Sequence, residues 1–336
     1  MRICVLGLIL SMIAGLNVVS ATKYAVSFTV VDDVGTPVEG AKVGVTGEMM
    51  RWTQPTDQFP SEWGVSDAQG RVLLQGKSDV RRVAYAVERS GHYWMQGADY
   101  FFDKRTLFRW QPWNPTIPVV LKRIRNPVPM YAKRSYVSLP ERDQWFGFDL
   151  EVADWVAPNG RGSIADIELL GTGEVIDERN YTGRLRMRFP GKGNGLIMHR
   201  VPDQPQVSAP RLPYTAPEVG YESEYVWERM RRVDDTSPTG VIYRDGQDET
   251  ENFFLRVRSK WDEEQQLTSA WYGKLHGPTK AFVITRFLEG GPWKMALQFT
   301  HYVNPDGTRN VEFDPKQNLL KPRTRREESH YRGLGP

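Results

Sequence analysis

Four tryptophans carry the clearest chemistry in this chain: Trp52 and Trp63 within the aperiodic stretch GEMMRWTQPTDQFPSEWG, and Trp110 and Trp113 within FRWQPWNP. Indole rings on loops can stack on the apolar faces of sugars or anchor another protein, because each offers a large, stiff contact area with few torsions to order. The competing use of the same rings is to fold back and plug the open end of a β-sandwich.

The remaining chemistry is sparser. Glycoside hydrolysis needs two carboxyl groups roughly 5 to 10 Å apart across a sugar, and Glu168, Glu178, Glu224 and Glu228 are candidate members, with nothing in the sequence selecting a pair. The acidic run RDGQDETEN gathers Asp245, Asp248 and Glu249 in one turn, a candidate Ca²⁺ site. It lacks the alternating ligands and the sixth-position glycine of the calcium loop, so a solvated hairpin tip is the expected use. The five histidines include no pair two or four residues apart, so no strand or helix presents two imidazoles together, and no metal or cofactor is expected. His301 shares a register with Met295, Leu297 and Phe299 and is expected in the core. Nucleophile-elbow and phosphate-loop patterns are absent. PGKGNG, 190–195, follows a strand-like run with no helix after it and is expected to be a hairpin turn.

Strands must position all of these groups. From Glu251 to Phe313 the runs NFFLRVRSK, LTSAWYGKL, KAFVITRF, WKMALQFTHYV and the short RNVEF alternate apolar residues and are separated by turn-rich breaks. That is the pattern of a half-buried antiparallel sheet. WFGFDLEVADW and SIADIELLG repeat it, with Asp149, Glu151, Asp166 and Glu168 expected on the wet face. GRLRMRFPG does so with Arg184, Arg186 and Arg188. Residues 201–225 are proline-rich and aperiodic, reading as a long extended connection. Tyr225 to Arg232 is the one stretch expected to take a short helical turn.

Between Lys23 and Ile124, short strands recur about every ten residues between Gly- and Pro-rich turns, as in a β-sandwich. VVDDVGTPVEGAKVGV, with Asp32, Gly35, Pro37, Val38, Gly40, Ala41 and Val43, is followed by SDAQGRV, with Ser66, Asp67 and Gly70, and then by SGHY. This arrangement resembles the carboxypeptidase-regulatory-like modules, which have a transthyretin-like (prealbumin-like) sandwich. It departs from them in Ser66 for Thr, in His92 inserted before Tyr93, and in the insertion from Gly47 to Gly64. An immunoglobulin-like sandwich with a similar hairpin fits as well. The resemblance covers about 100 residues and implies a non-catalytic accessory of a secreted or envelope protein; it carries over no catalytic residue.

The chain ends complete the expectation. Arg2, an apolar run from Ile3 to Leu16 and the small residues Val19 and Ala21 form a secretory signal, cut after Ala21. The run is shorter than the roughly 20 residues a membrane span needs. Cys4 is the only cysteine. The mature chain must therefore fold by burial alone, for which its length is ample. The formal charge of +3 includes Arg2, and the segment from Lys321 holds five cations against two carboxylates, so the folded body is close to neutral. With the basic excess confined to a tail, nucleic acid is not an expected partner.

The expected organisation is a signal at 1–21, a carboxypeptidase-regulatory-like or immunoglobulin-like sandwich at 22–124, a linker at 125–140, a larger antiparallel domain at 141–320 and a disordered basic tail at 321–336. The expected protein is all-β with little helix, periplasmic or secreted. It would be a non-catalytic binding or structural protein whose partner is a glycan or an envelope protein met by Trp52, Trp63, Trp110 and Trp113. The alternatives are a carbohydrate-active hydrolase with paired carboxylates in the second domain, and a subunit of a surface assembly. No sequence feature specifies an oligomeric state.

Overall fold

The computed structural model describes residues 21–47, 62–201, 206–234, 236–244, 248, 250–277, 279–284 and 293–336, apart from the side chains of 96 and 97. The protein is all-β: among the described residues the only helical segments are two 3-10 turns, Pro315–Gln317 and Glu327–His330. No helix among them is long and apolar enough to cross a membrane. The chain divides into two compact units, Met1–Ser90 with Trp94–Leu121, and Gly91–Tyr93 with Lys122–Pro336. Residues 1–20, most of the expected signal, lie outside the described residues.

The first unit contains β1 (Thr22–Asp32), β2 (Lys42–Thr46), β3 (Glu62–Val65), β4 (Arg71–Ser78), β5 (Arg82–Glu88), β6 (Met95–Phe101), β7 (Lys104–Arg105), β8 (Trp110–Gln111) and β9 (Thr116–Leu121). One sheet has the order β4-β1-β9, the other β3-β2-β5-β6, and β7 and β8 form a separate ribbon. β1 runs antiparallel to β4 and parallel to β9. Val26, Phe28 and Val30 from one sheet pack with Val43, Val45, Val83, Tyr85 and Val87 from the other.

The turn residues of the first unit have visible work. The Asp32 carboxylate accepts from the amides of Val34 and Thr36, and Asp67 from those of Gln69 and Arg71, so both acids close their own turns. Ser66 ties the two turns together: its hydroxyl accepts from the Ala41 amide and donates to the Val38 carbonyl. Gly70 sits at φ +72°, and a Cβ there would fall 2.2 Å from the Val30 oxygen, so both its conformation and its space demand glycine.

The second unit is a two-sheet sandwich. Its strands are β10 (Tyr131–Ser138), β11 (Trp145–Asp149), β12 (Asp154–Trp155), β13 (Ile167–Val175), β14 (Tyr181–Arg188), β15 (Gly195–Arg200), β16 (Glu224–Val233), β17 (Val241–Arg244), β18 (Glu251–Trp261), β19 (Leu267–Leu275), β20 (Lys280–Ile284) and β21 (Lys294–Asn304). The inner sheet runs β10-β21-β19-β18-β15, with β20 also on β21, and the outer sheet runs β12-β11-β13-β14-β16-β17. Phe146, Phe148, Leu169, Leu185, Met187 and Trp227 of the outer sheet meet Phe253, Leu255, Val257, Leu297 and Phe299 of the inner one.

The inner sheet is covered on both faces, which its alternating sequence does not announce. Phe254, Tyr272 and Tyr302 point away from the sandwich and are buried with Leu212, Ala216, Val311, Phe313 and Leu334. The proline-rich connection and the C-terminal segment thus supply a second cover. Residues from Lys321 onward, expected to be disordered, contain the Glu327–His330 turn, and His330 Nδ1 lies 2.7 Å from the Arg134 carbonyl of β10.

Several other expectations change. Tyr225 to Arg232 is strand, not a helical turn, because Tyr225 and Trp227 alternate into the core while Val226 and Glu228 face out. The expected linker at 125–140 includes β10, an integral strand paired along its length with β21. PGKGNG is not a hairpin: β14 pairs with β16 and β15 with β18, so the chain there crosses between sheets. RNVEF forms isolated bridges at Asn310 and Phe313 and not a strand. Asp149 and Asp166, expected on a wet face, are each 2% exposed. Asp149 is the last residue of β11, which folds back through Ala153, at φ +50°, into β12, and Asp166 stands just before β13, where the Leu150 amide and Arg258 hold it.

Candidate functional site

The open face of the outer sheet carries the most organised polar array in the second unit. On β14 the alternation puts Leu185 and Met187 inside, and so Arg184, Arg186 and Arg188 outside. Each meets a glutamate on a neighbouring strand. Arg184 reaches its in-register partner Glu228 on β16, Nε to Oε1 2.9 Å. Arg186 lies opposite Val226 and reaches diagonally to Glu224, which it grips with Nε at 2.6 Å and Nη2 at 2.9 Å. Arg188 turns the other way, to Glu168 on β13. The Trp145 ring lies beneath this ladder, with the Arg188 guanidinium carbon 4.0 Å and that of Arg186 5.2 Å from its centroid.

At the far end of the ladder is a hollow of about 720 Å³. Thr172, Thr182, Arg184, Glu228, Met230 and Arg244 line it, with Arg229 at its margin. Arg229 is fixed from behind: Nη1 donates to the Ala281 carbonyl at 3.0 Å, and the guanidinium lies over Phe282. Gly183 matters here for a packing reason. A Cβ at this position would sit 2.4 Å from Val283, so glycine lets the outer sheet lie close on the inner one beneath the hollow. On the open face Arg184 is paired with Glu228, so the excess positive charge of the lining is that of Arg244, while the Arg229 side chain is turned to the inner sheet.

The candidate carboxylates are therefore found, but in a different role. Glu168, Glu224 and Glu228 are each held by an arginine, and the fork from Arg186 keeps the Glu224 carboxyl below its usual range. A general acid needs the opposite shift. Glu178 lies in the connection from β13 to β14, where its carbonyl accepts from Arg231.

A second charged cluster is built for position, not access. Arg258 lies where the β18–β19 register shifts, at φ +53°. Its Nε donates to Asp166 at 2.8 Å, Nη2 to Asp149 at 3.0 Å and Nη1 to Glu151, while Trp271 underlies the guanidinium at 4.1 Å. The backbone amides of Leu150, Ser163 and Ile164 fill the remaining carboxylate positions. Burial pushes the Asp166 carboxyl up, and Arg258 opposes it. His301 is fully buried nearby, with Nε2 3.1 Å from the Leu150 carbonyl, and burial pulls its imidazole down to about 3.

On the other face of the inner sheet, Lys274 is buried over the Tyr302 ring at 4.9 Å, and burial lowers its ammonium to about 7. Glu312, also buried, accepts from the Tyr93 hydroxyl at 2.6 Å and from the amides of Arg125 and Asn126.

The four sequence-selected tryptophans separate. Trp52 lies outside the described residues. Trp110 is 6% exposed, stacks on Phe102 at 5.9 Å and donates its indole N–H to the Ser78 carbonyl, so it is a core residue. Trp63 and Trp113 stay accessible, each beneath a cation: Lys42 at 3.9 Å and Arg109 at 4.6 Å. No ring contact joins Trp63 to Trp113 among the described residues. Of the candidate Ca²⁺ turn, Asp245 and Glu249 lie outside the described residues. Asp248 accepts from the Thr250 amide and hydroxyl, which keep its carboxyl low. Among the described residues no three acidic, His or Cys side chains gather as a metal site.

The ladder was present in the sequence as the alternation of Arg184, Arg186 and Arg188. What hid it was the pairing of β14 with β16, across a connection of more than thirty residues. No protein-family model matches the chain, and no curated protein matches it in sequence.

Proposed function

We propose that the chain is a secreted or cell-envelope binding protein, without catalytic activity, that holds acidic glycans on the open face of the second unit's outer sheet. The observation that carries this reading is the hollow on the open face, where Arg184 and Arg244 stand against a single glutamate, Glu228. Guanidinium groups bind carboxylates and sulfates through paired, directional hydrogen bonds. Thr172 and Thr182 add hydroxyls suited to sugar hydroxyls, and Met230 adds an apolar contact for a ring face. A hollow of this volume accommodates a disaccharide-sized group. The arginine-clamped glutamates support binding over hydrolysis, because Glu168, Glu224 and Glu228 each spend their oxygens on an arginine of the sheet. In the first unit, Trp63 is a separate accessible aromatic surface on which a sugar ring can stack.

The test is a glycan array probed with the full chain, comparing uronate-containing and sulfated glycans with neutral ones. Binding to the acidic set, weakened by salt and by Arg244→Ala, is the expected result. Equal binding of neutral glycans, or none of either, removes the proposal.

A further inference from the structure

The β7–β8 ribbon of the first unit has no part in the proposed glycan site, and its tip is built in an unusual way. Asp103, Lys104, Arg105, Thr106, Leu107, Phe108 and Arg109 are seven consecutive exposed residues containing three cations, two large apolar side chains and one acid, Asp103, at the base of the ribbon. The turn is closed by Thr106, whose amide and hydroxyl both donate to the Arg109 carbonyl, at 2.9 and 2.8 Å. Tight turns ordinarily take Gly, Asn or Asp at their centre. Here the central pair is Leu107 and Phe108, 80% and 70% exposed. Phe101 just before the ribbon and Trp113 just after it are also exposed, and the Arg109 guanidinium lies over the Trp113 ring.

The base of the ribbon is rigid. Phe102 and Trp110 stack in the core, and the Trp110 indole holds the Ser78 carbonyl. The apolar pair is therefore presented by an ordered hairpin.

We infer that this tip is a membrane-surface anchor: Leu107 and Phe108 insert into the interfacial region of a bilayer while Lys104, Arg105 and Arg109 meet the headgroups of anionic phospholipids. The physical basis is the combination of an apolar tip and a rim of net positive charge, which matches an interface that is apolar below and anionic above. Tryptophan and other aromatic residues at the rim favour the same boundary. A protein pocket would accept Leu and Phe equally well, but a rim of three cations against one carboxylate complements an anionic surface.

The experiment uses the full chain carrying Cys4→Ser and Thr106→Cys, labelled at position 106 with an environment-sensitive nitrobenzoxadiazole probe, so that the readout is local to the tip. Vesicles of phosphatidylcholine alone are compared with vesicles containing phosphatidylglycerol, at low and high salt. The expected result is a blue shift on the anionic vesicles, smaller at high salt and small or absent on phosphatidylcholine. Leu107→Ser with Phe108→Ser should lower the partition coefficient by about 100-fold. Neutralising Lys104, Arg105 and Arg109 together should lower it by at least about tenfold. Both sets lie on exposed positions, and an unchanged melting curve verifies that each variant folds. No blue shift on anionic vesicles, or one that survives the Leu107/Phe108 change, overturns the assignment. A blue shift that appears without vesicles as protein concentration rises would instead assign the tip to a second copy of the chain, and also overturns it.

Discussion

Arg186 grips Glu224 with two parallel hydrogen bonds, Nε to Oε1 at 2.6 Å and Nη2 to Oε2 at 2.9 Å, across the β14–β16 pair. The fork fixes the glutamate as an acceptor and orients the arginine along the sheet face. In the next rung Arg184 directs Nε and Nη2 at one oxygen, Oε1 of Glu228, and this pair lines the hollow, where the balance between the two charges decides what can enter.

Glu228→Gln should therefore strengthen binding of an acidic glycan severalfold, because Arg184 loses its competing carboxylate and the hollow gains a positive charge. Arg244→Ala should weaken it by about 10- to 150-fold, the loss of one charge-assisted contact worth roughly 1.5–3 kcal/mol. Titration calorimetry at two salt concentrations reads both. Were Glu228 a catalytic acid or base, its amide would abolish turnover and not improve affinity.

Arg258 holds two carboxylates that are almost completely buried, Asp149 and Asp166, beside the half-exposed Glu151. Arg258→Met should destabilise the second unit by about 3–5 kcal/mol, since it leaves buried negative charge without its partner. Urea unfolding followed by tryptophan fluorescence measures the change. A loss under about 1 kcal/mol would mean that backbone amides and water suffice for the carboxylates.

His301 sets a pH dependence whose sign is fixed. Its imidazole is lowered from 6.5 to about 3, so below pH 6.5 the unfolded chain takes up a proton that the folded chain does not. Stability should fall as pH drops from about 6.5 to about 3, by up to about 1.4 kcal/mol per pH unit for this one group. His276, lowered by burial and then by the charges of Lys274 and Arg211, adds in the same direction. The raised carboxyl of Asp166 opposes them at the acid end. Melting temperatures across that window, compared with those of His301→Gln, should show a shallower slope in the variant.

Lys274 continues the same rise at higher pH. Its ammonium falls from 10.5 to about 7 on folding, so the unfolded chain holds the extra proton between those values. Stability should rise as pH increases from about 7 towards 10.5. Lys274→Met should flatten that rise and stabilise the protein at neutral pH, as read by chemical unfolding at pH 7 and pH 9.

Trp110→Ala should cost the first unit about 3–5 kcal/mol, the range for deleting a large buried aromatic. Trp63→Ala and Trp113→Ala should each change stability by under about 1 kcal/mol, the two rings being surface residues beneath single cations. A scan of melting temperatures for the three variants separates core from surface.

Fold class was legible because the signal for a strand is local: Phe253, Leu255 and Val257 announce one buried face without knowledge of any partner. The second cover was not, because Phe254 reads as an interruption until Leu212 and Phe313 arrive from distant segments to bury it. The same limit explains β16. Arginines fall on both of its faces, so VWERMRR shows no clean alternation, and only the in-register glutamates opposite β14 reveal a strand. Asp149 and Asp166 were misplaced for a related reason. Alternation assigns a face only while a strand continues, and β11 stops at Asp149. Trp110 shows that sequence identifies an aromatic on a turn-rich segment but not which way it faces.

The pairing of β10 with β21 sets Lys133 opposite His301, and the cover over Phe254 needs Val311, Phe313 and Leu334. The second unit therefore cannot cover its central sheet until the segment from Val311 to Leu334 has been synthesised. Until then β18 and β19 expose a face rich in Phe and Tyr, the kind of surface on which incomplete chains aggregate. Chains ending before residue 311 should accumulate as insoluble protein even though both six-stranded sheets are already encoded.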